Sequence, residues 1–215
     1  MKKNEVNYVV TKLKELYPQA KAELVFSSNY ELLVAVMLSA QCTDKRVNQV
    51  TKELFKKFNT PQKMVTLTQE ELEKMIFSCG FYKNKAKNIL ATSQELIEKY
   101  NGEVPGDIAI LRTLAGVGRK TANVVAAVGF GVPAIAVDTH VFRVSNRIGL
   151  ANAKNELETE LQLQKVIDKS MWLDVHHLLI FHGRYCCASR KPECERCTIS
   201  SVCKYFKEQN KKKVI

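Results

Sequence analysis

Apolar residues recur at helical spacing along most of the chain, whereas strand-like alternation is nearly absent. Near the N-terminus Val6, Val9, Val10 and Leu13 fall on one face of a helix predicted over residues 5–17. No alternating apolar and polar pattern lasts longer than a few residues, and no segment repeats at a fixed period. The pattern therefore predicts an all-α fold.

Capping residues and glycine stops divide the rest of the chain into further helices. We expect helices over 29–39, 43–58, 68–80, 83–100, 156–167 and 170–184. A short helix is expected to begin at 107 and to end in a tight turn, a second helix to run from that turn to about 130, and a third to begin at 139. Side-chain caps are expected from Thr43, from Thr68 paired with Glu71, and from Asp107 and Asp138. Residues 133–137 are expected to be extended, and the Lys-rich tail 204–215 is expected to fray.

The stretch 111–125, LRTLAGVGRKTANVV, predicts the end of one helix, a tight turn and the start of another. Gly116 and Gly118 allow a positive φ and a close backbone approach, and successive N–H groups at a helix start can bind a phosphate. Lys120 lies in the first helical turn, where the helix field disfavours a cation, and partial burial would act in the same direction. A nucleophilic amine is one interpretation, and a solvated or phosphate-contacting lysine is the other.

Cysteines near the C-terminus follow the spacing C-x6-C-x2-C-x5-C at Cys187, Cys194, Cys197 and Cys203. Four thiolates within such a short segment can converge on one metal centre, and both zinc and an iron–sulfur cluster use four cysteines. Cys186 is an extra thiol beside the first predicted ligand. The spacing predicts a metal site but leaves the metal open.

Several other polar or reactive residues allow both a structural and a functional interpretation. Cys42 and Cys79 stand alone in the sequence and are expected to be buried or incidental thiols. Arg190 and Lys191, between the first two predicted ligands, are either phosphate contacts or solvated charges. Asp138 is expected as a helix cap, and a catalytic role would need it to face Lys120. The neighbouring His140 is expected to be structural.

The charge of the chain favours a polyanionic partner. Among 215 residues, 33 are Lys or Arg and 22 are Asp or Glu, which gives a formal net charge of +11. Nucleic acid is the first candidate partner, and an anionic membrane surface is the second. The sequence shows neither a secretion signal nor an apolar run long enough to span a bilayer, so we expect a cytoplasmic protein.

Taken together, five segments resemble the endonuclease III family of DNA glycosylases. They are LSAQCTD at 38–44, LAGVGRKTANVV at 114–125, VDTHVFRV at 137–144, HGRYCC at 182–187 and the four-cysteine spacing. Their order and separation also match the family, so that the resemblance covers nearly the whole chain.

This resemblance implies a two-lobed helix–hairpin–helix glycosylase fold with DNA bound between the lobes. Residues 22–132 would form a six-helix barrel lobe that contains the helix–hairpin–helix stretch 111–125. Residues 1–21 and 133–215 would form a helical lobe that carries a 4Fe–4S cluster. The cluster ligands would be the four cysteines of the spacing, Cys187, Cys194, Cys197 and Cys203, which favours iron over zinc.

The resemblance also implies a bifunctional glycosylase and AP lyase of base excision repair that removes oxidised pyrimidines. Lys120 would attack C1′ of a flipped-out nucleotide, Asp138 would support the attack, and β-elimination would nick the strand. The partner would be double-stranded DNA with damaged bases or abasic sites, bound by a monomer that is nucleoid-associated in a prokaryote. The implied DNA-binding residues are Gln41, Phe81, Gly116, Val117, Gly118, Arg119, Arg190 and Lys191.

The chain departs from the family at Ala115, where a proline is usual, so the turn is expected to be less rigid. Three alternative functions stay open at this stage. One is a monofunctional mismatch glycosylase of the same superfamily, which usually lacks the lysine and carries a further C-terminal domain. The others are a non-catalytic helix–hairpin–helix DNA-binding protein and an iron–sulfur electron carrier.

Overall fold

The computed structural model describes residues 1–213 and contains helices but no strand within that range. The α-helices are α1 Lys3–Leu16, α2 Asn29–Leu38, α3 Asp44–Leu54, α4 Pro61–Met64, α5 Gln69–Ile76, α6 Tyr82–Tyr100, α7 Ile108–Leu111, α8 Arg119–Phe130, α9 Thr139–Ile148, α10 Glu156–Val166, α11 Trp172–Tyr185 and α12 Lys204–Lys213. Short 3-10 turns lie at Phe77–Cys79, Lys169–Met171 and Cys194–Arg196. The predicted all-α class is confirmed. Within 1–213 no helix has the length and apolar character needed to cross a bilayer.

Side-chain caps begin the helices where the sequence predicted them. The hydroxyl of Thr43 accepts a hydrogen bond from the Arg46 N–H, and Asp107 accepts from two N–H groups of α7. Thr68 and Glu71 form the expected reciprocal capping box at the start of α5. These caps satisfy N–H groups that have no partner within their own helix. They were predictable because each acts over only two or three residues.

The structure differs from the predicted helices in three places. Helix α3 ends at Leu54, so Phe58 lies beyond it in a series of turns. The short helix α4 was missed, although Thr60 as its cap and Pro61 as its first residue are a typical helix start. The tail predicted to fray is helical as far as Lys213, while residues 214–215 lie outside the described range.

One compact unit comprises Glu23–Val132. Its central helix is α2, whose residues 30–38 are all buried, and α2 packs against α3, α6 and α8. Helix α6 packs in addition against α4 and α5, which encloses a core of aliphatic side chains from α2, α3, α5 and α6. A helix that is apolar all round belongs inside a domain, as its sequence predicted.

The other compact unit comprises Met1–Ala22 and Pro133–Ile215. Helix α11 packs against α1 and α9, and α9 packs in addition against α10 and α12. Residues 134–137 are buried and have no regular secondary structure, and Ile135 belongs to the core of this unit. They lead directly into Asp138, the cap of α9. That the two units act as a barrel lobe and a cluster lobe stays a prediction.

Candidate functional site

Helix α6 holds the tight turn between α7 and α8 in place. Gly116 has a φ of +73°, and a Cβ at this position would lie 2.7 Å from the side chain of Asn88 on α6. One turn further along α6, the Thr92 hydroxyl donates a hydrogen bond of 2.8 Å to the Ala115 carbonyl. A glycine is therefore required at 116 both by the backbone conformation and by the close approach. The carbonyl of Ala115 is fixed although the usual proline is absent.

Gly118 differs from the prediction, because its φ of −80° lies in a region open to any residue. It is the N-cap of α8 and has no side chain with which to cap the helix. A Cβ added at Gly118 would find no protein atom within 4 Å. The start of α8 therefore combines the positive end of a helix dipole with open space in front of it, which suits a bound anion.

The side chain of Val117, one of the implied DNA-binding residues, is buried. Its side chain is 5% exposed and belongs to the core around α2. Its N–H donates to the Leu114 carbonyl at 3.1 Å. The turn therefore offers fewer open N–H groups than the sequence suggested, and the available donors begin at the first turn of α8.

Lys120 is exposed at the second position of α8, next to the exposed Arg119. Burial therefore does not add to the effect of the helix field on Lys120. Its amine can therefore be reached from solvent, as a nucleophile that attacks a large substrate must be.

Asp138 caps α9, as predicted. Its Oδ1 accepts a hydrogen bond of 2.7 Å from the Val141 N–H. A carboxylate has two oxygens with several acceptor positions, so this cap is compatible with a second interaction. His140 has the structural role that we expected, since its Nδ1 lies 3.1 Å from Nη2 of Arg143.

Gln41 and Phe81 share an unusual backbone conformation. Their φ angles are 52° and 46°, and the described range contains just one other non-glycine residue, Asn101, with a positive φ. Both residues are exposed, and the Phe81 side chain is 65% exposed. A strained backbone at an exposed glutamine and an exposed phenylalanine is typical of residues placed for contact with a partner.

Cys79 is buried, as predicted, and Cys42 lies beside it although the two are far apart in the sequence. Cys79 is 1% exposed, and burial is the main cause that raises its pKa to about 11. The charge of the neighbouring Cys42 thiol and a hydrogen-bond contribution from it raise this pKa further. Both thiols lie near Lys85, which the sequence analysis did not single out. The Lys85 ammonium donates to three carbonyls, those of Leu38, Ala40 and Cys79, at 2.9, 2.8 and 2.7 Å.

The four predicted cysteine ligands and Cys186 line one cavity, together with apolar side chains that include Ile148 and Ile199. His182, Cys186 and Cys197 offer ligand atoms within 4.8 Å of one another. Hydrogen bonds from Cys186 and His182 lower the pKa of Cys197 to about 4, whereas the same bond and burial raise the pKa of Cys186. The site is thus rich in thiols, with a histidine nitrogen among them.

Cys187 lies near the remaining predicted ligands. Burial raises the pKa of both Cys194 and Cys203, and the Cys187 and Cys197 thiols increase it further at each. The Arg147 Nη1 lies 3.6 Å from the Cys187 Sγ and can donate to it. Cys187 therefore neighbours Cys194 and Cys203, and all four predicted ligands line the same cavity.

Two arginines of α9, which the sequence analysis did not single out, hold the start of the cysteine segment. Arg147 donates to the carbonyls of Ala188 and Ser189, each at 2.7 Å. Arg143 donates to the Cys187 carbonyl at 3.2 Å and to the Gly183 carbonyl at 2.8 Å. The signal in the sequence was a pair of arginines four residues apart on the helix that Asp138 caps. Directly after this braced stretch, Arg190 and Lys191 are exposed.

Comparison with known proteins extends over nearly the whole chain. Residues 34–169 match the family described as HhH-GPD superfamily base excision DNA repair protein. Endonuclease III of Bacillus subtilis (strain 168) is 49% identical over 212 residues, which are 98% of this chain and 97% of the relative. A solved non-covalent endonuclease III–DNA complex has a TM-score of 0.93 at 48% identity, and covers 98% of this chain and 99% of its own. A trapped endonuclease III–DNA covalent intermediate has a TM-score of 0.93 at 49% identity and the same coverage.

Proposed function

Because this chain belongs to the endonuclease III family of HhH-GPD base excision repair proteins, it is a DNA glycosylase and AP lyase, and we propose that Lys120 is its nucleophile. The predicted family and helix–hairpin–helix fold are confirmed. The observation that carries the proposal is the likeness to a chain trapped as a covalent intermediate with DNA, combined with an exposed lysine at the start of α8.

We propose that the start of α8 binds a DNA phosphate. Gly118 leaves the first helical turn without a side-chain cap and keeps the space in front of it open. Arg119 adds a positive charge there. These contacts would position the duplex without reading its sequence, because they engage the backbone of DNA alone.

Lys120 would then react with the sugar of a flipped-out oxidised pyrimidine nucleotide. Its amine nitrogen forms a bond to C1′ while the bond from C1′ to the base breaks, and the base leaves with a proton. Opening of the sugar ring produces a Schiff base. Loss of a proton from C2′ then expels the 3′ oxygen and nicks the strand, and water releases Lys120 by hydrolysing the Schiff base.

Asp138 would support this attack electrostatically. Its carboxylate can stabilise the positive charge that develops on the sugar while the bond to the base breaks. The cap at Oδ1 holds the side chain in one orientation, which is what a group that acts through charge requires.

Gln41 and Phe81 are the proposed inserting residues. Gln41 would occupy the space that the flipped nucleotide leaves, and Phe81 would wedge the opposite strand. Their exposure and their left-handed backbone support this role, since a phenylalanine that is 65% exposed otherwise costs solvation free energy.

Cys187, Cys194, Cys197 and Cys203 are the proposed ligands of a 4Fe–4S cluster. The donor set fits, because the four thiols line one cavity with apolar side chains and Cys187 neighbours Cys194 and Cys203. Cys186 lines the same cavity and is left out of the proposed set because the resemblance places the first ligand at Cys187. A bound cluster would crosslink residues 187–203 and so present Arg190 and Lys191 to phosphate. Iron analysis and the visible absorption of iron–thiolate bonds test this assignment against zinc.

The decisive experiment is reductive trapping with borohydride on duplexes that contain an abasic site or thymine glycol. We expect a covalent adduct with the wild-type protein, because borohydride reduces a Schiff base to a stable amine. Lys120→Ala should lose the adduct and still bind the duplex. Arg112→Ala, which removes an exposed positive charge from the preceding helix end, is the matched control and should keep the adduct.

The same experiment separates the alternative functions. A monofunctional glycosylase would release the base without an adduct, and a non-catalytic DNA-binding protein would do neither. An adduct that persists in Lys120→Ala would exclude Lys120 as the nucleophile. Association with chromosomal DNA in the cytoplasm stays part of the proposal.

A further inference from the structure

Lys85 is a buried cation that the proposed chemistry does not use. It is 7% exposed, and all three hydrogen-bond donors of its ammonium are taken by carbonyl oxygens. A neutral amine has two N–H groups and could not make three such bonds, so the arrangement requires the charged form. Burial lowers the pKa of Lys85, while hydrogen bonds to three carbonyls favour the ammonium. With its nitrogen enclosed in this way, Lys85 cannot compete with Lys120 as a nucleophile.

The three carbonyls belong to two separate segments. Leu38 and Ala40 stand at the end of α2, and Ala40 immediately precedes Gln41. Cys79 ends the 3-10 turn two residues before Phe81. One ammonium therefore ties together the chain on the N-terminal side of both proposed inserting residues.

The backbone of Lys85 reinforces this link. Its N–H donates to the Phe81 carbonyl at 3.1 Å, so Lys85 contacts the Phe81 segment through both backbone and side chain. The Cys42 and Cys79 thiols lie close to each other, which brings the same two segments together from the other side of Gln41. These contacts hold a left-handed backbone at Gln41 and at Phe81, which neither residue prefers by itself.

We propose that Lys85 is a positioning residue, which fixes the segments 38–41 and 79–81 in one arrangement so that Gln41 and Phe81 insert into the duplex together. This role rests on the proposed function, because it presupposes that these two side chains enter DNA. Lys85 acts through them and does not touch the reacting atoms.

The test compares duplex with single-stranded DNA that carries the same abasic site. In single-stranded DNA no opposite strand has to be wedged and no stacked partner has to be replaced, so the role of the two inserting residues is absent. Lys85→Met removes the donors and nearly keeps the volume. We expect kcat/KM for the duplex to fall about tenfold or more, and kcat/KM for the single strand to stay near the wild-type value.

Lys99→Met is the matched control, since it removes the same charge from the same helix at a position where the lysine pairs with Glu95 in solvent. It should leave both rates unchanged. A 2-aminopurine placed opposite the abasic site reports on insertion, because its fluorescence rises on unstacking. The rise should be seen with wild type and Lys99→Met and should be reduced with Lys85→Met.

The outcomes are distinct. Equal rates for Lys85→Met and wild type, or an equal loss on both substrates, would overturn the positioning role. No Lys120-dependent reaction of the wild type on either substrate would instead overturn the proposed function, and the positioning role with it. Should Lys85→Met not fold, Lys85→Arg replaces it, since it keeps the charge but not the compact ammonium. A lower ratio of duplex to single-strand rate with Lys85→Arg supports the proposal, and an unchanged ratio refutes it.

Discussion

Asp138 combines a structural and a proposed catalytic task in one side chain. The cap on α9 requires a side-chain Oδ1 acceptor, which asparagine also supplies. The proposed stabilisation of a positive sugar requires a negative charge, which asparagine lacks. Since the two tasks need different properties of the side chain, two substitutions can separate them.

We expect Asp138→Asn to keep the free energy of unfolding close to that of the wild type and to lower kcat by about a hundredfold or more. Asp138→Ala should lower kcat similarly and should in addition cost about 1 kcal/mol of stability through loss of the cap. Urea unfolding and single-turnover kinetics measure the two effects. Full activity of the asparagine variant would contradict the proposed role of the charge.

His177 links stability to pH. Burial, partly offset by the charge of Asp174, lowers its pKa in the folded protein below the usual value of 6.5. The unfolded chain then binds more protons than the folded protein between the two pKa values, so the free energy of unfolding falls as pH falls below 6.5. We expect His177→Gln to flatten the dependence of stability on pH in this range and to leave it unchanged above neutral pH. Urea unfolding as a function of pH tests this, and an unaltered slope in acid would count against it.

At the scale of the element, the two glycines of the turn between α7 and α8 have different roles. Gly116 serves the fold, because its positive φ and the approach of Asn88 exclude a side chain. Gly118 has an ordinary φ and open space, so its lack of a side chain serves an incoming partner. The sequence alone showed two equivalent glycines, and the backbone angles distinguish them.

Alanine at each glycine tests this division. Gly116→Ala should lower the free energy of unfolding by about 1–3 kcal/mol, because it forces a strained backbone and a clash. Gly118→Ala should leave stability unchanged or slightly raised, and should weaken duplex binding, since a methyl group then occupies the space proposed for the phosphate. Thermal unfolding and fluorescence anisotropy measure the two quantities. Equal stabilities of both variants would refute the assignment.

The elements themselves were largely predictable, for a physical reason that also explains the errors. Helical periodicity and caps act within about four residues, so α2, α5 and α9 could be located from their own sequence. Helix α4 has a single turn and no periodicity to detect. Burial of Val117 depends on α2 packing beside the turn, which no local pattern encodes.

At the scale of the whole molecule, the net charge of +11 favours binding to DNA, but it does not identify which basic residues contact the DNA. Most lysines and arginines would contribute to the general field, and a few would meet phosphates directly. The exposed Arg190 and Lys191, next to the stretch braced by Arg147, are proposed to be among the few.

Salt dependence distinguishes direct contacts from the general field. The logarithm of the binding constant should fall linearly with the logarithm of salt concentration, with a slope of about −0.9 for each phosphate contacted. Arg190→Ala and Lys191→Ala should each make the slope shallower by about 0.9, whereas Lys99→Ala should not. Anisotropy titrations across a salt series supply the slopes. Identical slopes for all variants would place both residues outside the interface.

The sequence by itself determined most of the helices, several of their caps, the family and the residues proposed for the chemistry, because these depend on short-range periodicity and on ordered motifs. Only the tertiary structure decided which hydrogen bonds fix the segments that carry these residues. Lys85 reaches carbonyls 45 and 47 residues away, and Arg147 reaches one 41 residues away. Every residue has a backbone carbonyl, so no side-chain pattern marks which of them a buried cation will bind. Only the packed chain selects these partners, because burial removes the competing water and leaves those carbonyls within reach.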